Sequence, residues 1–111
     1  MRIWDVLPAE LCRLHLLGEH RELHAIWSIL VNDKKGYRHH PEVQRWVGKL
    51  AALHRRHAML VEEMKRRGYR HRSPLDSSLA TGERVQDCYV DTPAVQRCLL
   101  RNKPCGCPRK I

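Results

Sequence analysis

The sequence predicts an all-α fold: a compact single domain with a long central helix flanked by basic residues, joined by irregular connections. Three observations carry this. Apolar residues recur at helical spacing, no stretch keeps the period-two alternation of a strand, and Pro or Gly stands at the starts and stops of the apolar runs. At 111 residues the chain has room for one modest core, spanning 1–111, and not for two.

Pro8 suits the first turn of a helix. Leu16, Leu23, Ile26, Trp27 and Leu30 fall within an arc of about 100° on a helical projection, which predicts a helix starting near residue 14 with that arc on the core. Gly18 marks a bend or a start within it, and Asn32-Asp33-Lys34-Lys35-Gly36 ends it with turn residues. The strongest helix is expected between Pro41 and Gly68. There Val43, Trp46, Val47, Leu50, Leu53, Leu60, Val61 and Met64 form one apolar stripe. Arg45, Lys49, Arg56 and Arg67 project together on its flank as a basic ridge, read either as a solvated face or as a phosphate-binding one. Residues 69–90 are polar and turn-rich and predict a long irregular connection. Thr92-Pro93 supplies an N-cap and a first-turn proline for a short helix ending before Pro104, and about 101–111 is a cysteine-containing tail. Trp4, Trp27 and Trp46 are expected in the core, with Trp4 alternatively stacking on a base.

Lys and Arg outnumber Asp and Glu by 21 to 12, a formal net charge of +9, so a polyanionic partner is expected. The arginines favour nucleic acid, because a guanidinium forks around phosphate oxygens whereas an ammonium acts as a point charge. No apolar run approaches the roughly 18 to 20 residues that span a bilayer, and Asp5, Glu10 and Arg13 break any signal-peptide pattern. A cytoplasmic, monomeric protein without membrane attachment is expected. The five cysteines are odd in number and predict reduced thiols rather than a disulfide framework. Cys88, Cys98, Cys105 and Cys107 suffice in number for a structural zinc, but C-x-C departs from the usual spacing, so the expectation is no metal. The eight histidines, His39-His40 and His54 with His57 among them, show no ligand pattern and are expected at the surface or the core edge.

Two blocks carry a more specific signal. In the first thirty residues Arg2-Ile3, Glu10-Leu11, His15-Leu16 and Glu19-His20-Arg21-Glu22-Leu23 stand in fixed spacing. Over about 42–70 come Lys49-Leu50-Ala51-Ala52-Leu53, Arg56 and Lys65-Arg66-Arg67-Gly68-Tyr69. Together they resemble the phage-type pyrimidine-dimer DNA glycosylase family, also called endonuclease V. The resemblance implies a compact helical repair enzyme that needs no metal or organic cofactor. Such an enzyme excises a base of a pyrimidine dimer in duplex DNA and cuts the strand by an apurinic/apyrimidinic lyase reaction. It implies that the nucleophile is the chain's own α-amine, here on Met1, with Glu22 as the carboxylate partner. Arg2, His15 and Arg21 would position the DNA, helped by Arg45, Lys49 and Arg56 of the ridge.

The chemistry is consistent with that assignment. An α-amine has a pKa near 7.7 to 8.0, so an appreciable fraction is free nucleophile at neutral pH without burial. The family's nucleophile is a threonine exposed by loss of the initiator methionine. Here Met1 lies directly before Arg-Ile, and the large Arg2 opposes methionine removal, so the amine keeps its register. A second family arginine falls at Ala25, and the family's aromatic tail is replaced by Arg101-Asn102-Lys103-Pro104-Cys105-Gly106-Cys107-Pro108. Two other readings stand beside this one: a non-catalytic basic nucleic-acid-binding module, and a zinc-stabilised interaction protein.

Overall fold

A computed structural model describes residues 2–34, 36, 38–71, 73–105 and 107; Met1 and part of the tail lie outside the described residues. The fold is an all-helical globule with four α-helices and, among the described residues, no strand: α1 (Arg13–Val31), α2 (Pro41–Gln44), α3 (Leu50–Arg66) and α4 (Pro93–Arg101). A short 3₁₀ turn at Pro8–Glu10 precedes α1, and another at Ser77–Leu79 lies between α3 and α4. None of the described helices is long and apolar enough to cross a membrane.

The expected arc of α1 forms the middle of the core. Leu16, Leu23, Ile26 and Trp27 are buried against Leu53, Leu60 and Met64 of α3, and Leu30 packs at the edge. Gly18 neither bends nor starts the helix, which runs through it unbroken. Pro8 does open a first turn, but a 3₁₀ one of three residues. α4 begins as expected, with the Thr92 hydroxyl accepting from Val95 N at 3.3 Å.

The predicted helix from Pro41 to Gly68 is two helices. α2 closes after one turn, and the chain passes through Gly48 at φ 74° before α3 begins. The cause is tertiary. Gly48 O accepts from Glu83 N at 3.0 Å, while Thr81 O and Glu83 O accept from Ala51 N and Ala52 N at 2.8 and 3.0 Å. Residues 81–83 thus cap the first turn of α3 with backbone carbonyls, where no side-chain cap exists. Only glycine allows the approach, since a Cβ on Gly82 would sit 2.1 Å from Gly48 O. Val47, placed by the sequence in the apolar stripe, lies in this break and is exposed.

Candidate active site

Residues 2–12 form an arm that packs back along α1, and seven of its backbone polar groups are held by side chains from elsewhere. Arg45 donates to Ile3 O at 3.0 Å, Arg56 to Val6 O at 2.8 Å, and Arg67 to Pro8 O and Leu11 O at 3.2 and 2.7 Å. The arm's N–H groups are taken in turn. Trp4 N donates to Glu19 Oε1 at 2.9 Å, Asp5 N to Gln96 Oε1 at 2.7 Å, and Cys12 N to Cys107 Sγ at 2.9 Å.

The arginines of this clamp are balanced by buried carboxylates. Arg56 meets both oxygens of Glu19, at 2.7 and 3.1 Å; Arg45 meets Glu42 at 2.5 Å and Asp5 at 2.8 Å. Burial pushes the Glu19 carboxyl upward against the pull of Arg56. Three donors converge on its two oxygens, an arrangement that a carboxylate satisfies and a protonated carboxyl does not. Replacing Arg56 with Ala would leave Glu19 charged and unpaired in the core and Val6 O without a donor. The expected loss in urea denaturation is about 3–5 kcal/mol, whereas Lys65→Ala on the exposed side of the same helix should change stability by less than about 0.5 kcal/mol.

This corrects the basic ridge. Arg45 and Arg56 are 6 % and 8 % exposed, and Arg67 is half-buried against Glu63. Lys49 donates to Gln86 at 2.8 Å and pairs with Asp87 at 3.5 Å. On a helix flank these residues read as solvated cations; in the fold the three guanidinium groups bind carboxylates and the arm, and the Lys49 ammonium binds Gln86 and Asp87. Arg45 and Arg56, expected to contact DNA, are thus buried, paired with carboxylates and bonded to the arm.

His15 is also diverted. Its Nδ1 faces Cys12, Cys105 and Cys107, with its ring 5.7 Å edge-on from Trp4. Trp4 is buried, as expected for a core aromatic. Arg2 is half-buried, 2.8 Å from Asp91 and stacked 5.1 Å over Trp4. Arg21 and Glu22 stand differently. Arg21 is exposed at a cleft lined by Leu17, His20, His24 and Ser73. Glu22 is half-buried on α1 and makes no hydrogen bond or ion pair with any described residue, whereas Glu10, Glu19, Glu42 and Glu63 are each paired with arginine. Met1 lies outside the described residues.

Two side-chain clusters escaped the sequence reading. Cys12 and His15 join Cys105 and Cys107, while Cys88 and Cys98 are exposed elsewhere. The Cys12-x-x-His15 pair at the start of a helix was the available signal. Burial pushes the Cys107 thiol up to about 12; burial also opposes ionisation of Cys12, but first-turn amides and the tail thiols bring it below its ordinary range. The histidines expected at the surface or core edge instead include a buried member. His20, His24, His57 and His71 converge, and burial followed by the neighbouring imidazoles pushes His20 and His57 down to about 4. His20 and His24, one helical turn apart, were the legible part.

The fold and the site define an all-helical protein whose N-terminal arm is held against a helix bearing one carboxylate without a partner among the described residues. A model of the pyrimidine dimer DNA glycosylase family matches residues 1–77, and the chain belongs to that family. No match was found among curated proteins, nor among solved structures. Family membership implies a DNA-repair glycosylase acting on damaged DNA. The matched region holds α1 to α3 and the arm, and leaves out α4 and the tail that help to hold the arm.

Proposed function

We propose that the protein is a glycosylase and apurinic/apyrimidinic lyase acting on pyrimidine dimers in duplex DNA, with the α-amine of Met1 as nucleophile and Glu22 as its carboxylate partner. The observation that carries this reading is the clamp. An arm whose backbone is tied at points from Ile3 to Cys12 restricts the space open to an amine ahead of it, as catalysis by a main-chain amine requires. Three residues from Trp4 to Met1 reach at most about 10 Å. Glu22 lies three residues, a rise of about 4.5 Å, beyond the Glu19 that holds Trp4, so the amine and this carboxylate can meet.

The amine lone pair attacks C1′ of the lesion nucleoside. The glycosidic C–N bond breaks with its electron pair leaving on the base, and the adduct becomes an iminium after ring opening. Loss of a proton from C2′ then expels the 3′ phosphate by β-elimination, and water releases the enzyme. Glu22 stabilises the cationic intermediate and receives the proton. Arg21, exposed one residue away, contacts the flanking phosphate. The non-catalytic module loses support because Arg45 and Arg56 of the ridge it relied on are buried.

Borohydride reduces the iminium and fixes the enzyme to abasic-site DNA. The expected result is a covalent complex whose peptide map places the link on Met1. A link on an internal lysine would reject this assignment.

A further inference from the structure

We propose that Cys12, His15, Cys105 and Cys107 form a structural zinc site that pins the tail to the first turn of α1. The three sulfurs and one ring nitrogen all lie within 4.8 Å of one another. His15 Nδ1 stands 3.2 Å from Cys12 Sγ, 3.3 Å from Cys105 Sγ and 3.5 Å from Cys107 Sγ. A tetrahedral zinc with Zn–S about 2.3 Å and Zn–N about 2.0 Å has sulfur–nitrogen edges of about 3.5 Å. The cage therefore already has the size of the ion.

Its construction fits a closed, structural centre. Cys12 immediately precedes α1 and His15 lies in its first turn, so the helix itself sets the spacing of that pair. Cys12 N–H donates to Cys107 Sγ, a bond that favours the thiolate and orients it. Four protein ligands fill a tetrahedron and leave no open position, and the thiol protons pass to solvent on binding. Three thiolates and a neutral imidazole around a divalent ion leave one negative charge, at the positive end of a 19-residue helix. A disulfide would use two of these sulfurs and give no reason for the third or for the imidazole.

Different side chains point to a second site, for a late first-row divalent ion, at His20 and His24 of α1, His57 of α3 and His71 beyond it. The four histidines meet through their Nε2 atoms and lie within the same 4.8 Å limit: His24 is 3.3 Å from His20 and 3.2 Å from His57, and His71 is 3.1 Å from His20. Four imidazoles suit zinc, copper, nickel or cobalt, and nitrogen–nitrogen edges near 3.3 Å match a tetrahedral zinc. An ion at the centre satisfies every lone pair at once, which a set of neutral rings with one N–H apiece does only in particular tautomers.

Zinc content of the full chain, purified reduced, and its cobalt(II) spectrum test both sites. Two equivalents of zinc are expected. Cobalt should give near-ultraviolet thiolate charge-transfer bands together with visible tetrahedral bands. Cys105→Ser with Cys107→Ser should lose one equivalent and the charge-transfer bands. His24→Ala with His71→Ala should lose the other equivalent and keep those bands, and Cys88→Ser with Cys98→Ser should lose neither. A wild-type chain without charge-transfer bands, or with Cys12 and Cys107 joined as a disulfide, overturns the first site. A wild-type chain that takes up one equivalent with those bands intact overturns the second, and one that takes up no zinc overturns both.

Discussion

A single extra residue retained ahead of Met1 is expected to eliminate base excision and strand cleavage while leaving helical content and duplex affinity near native. The extension converts the old amine to an amide, which is not nucleophilic, and moves the new amine by about 3.8 Å. The arm cannot slide to compensate. Ile3 and Val6 are held through their carbonyls and Trp4 and Asp5 through their N–H groups, so a shift by one residue would break every tie together. Native and extended proteins are to be compared for incision, borohydride trapping and duplex binding. Full activity with a verified extension would move the nucleophile to an internal lysine, and inactivity of both forms with good binding would favour a non-catalytic module.

Glu22→Gln is expected to lower turnover by about 10²–10⁴-fold, the usual range for a positioned acid–base group, with DNA affinity unchanged or slightly tighter. Removing a negative charge beside phosphates does not weaken binding, whereas the cationic intermediate loses its counter-charge. Stability should also hold, because Glu22 has no partner among the described residues. Glu19→Gln makes the contrast: it should destabilise the fold by leaving Arg56 uncompensated. Single-turnover incision, a binding isotherm and a denaturation curve on both variants separate the two roles, and unchanged incision by Glu22→Gln would reject the assignment.

Local signals were legible in the sequence. The α1 arc, the Thr92-Pro93 start of α4 and the buried members of the α3 stripe depend on residues within a turn or two of each other, and each stands as expected. The break at Gly48 was not legible, because it is made by residues 81–83 arriving from more than thirty positions away. The ridge was misread for a related reason. Periodicity places Arg45 and Arg56 on a flank, but whether a flank faces water depends on where Asp5 and Glu19 end up. The Cys and His clusters likewise join short local pairs to ligands distant in the chain.

The arm is among the first parts of the chain to be synthesised and can be among the last to find its partners. Its ties reach across 42 positions to Arg45, 50 to Arg56, 87 to Arg97, 91 to Gln96 and 95 to Cys107. While a ribosome is still reading the messenger, α1 can coil and meet α3, and Glu19, Arg45, Arg56 and Arg67 can take up their ties to the arm, but the ties to Gln96, Arg97 and Cys107 wait until α4 and the tail emerge. The arm therefore completes its clamp only as synthesis nears Cys107, so an interrupted translation product would carry the arm with its last ties missing.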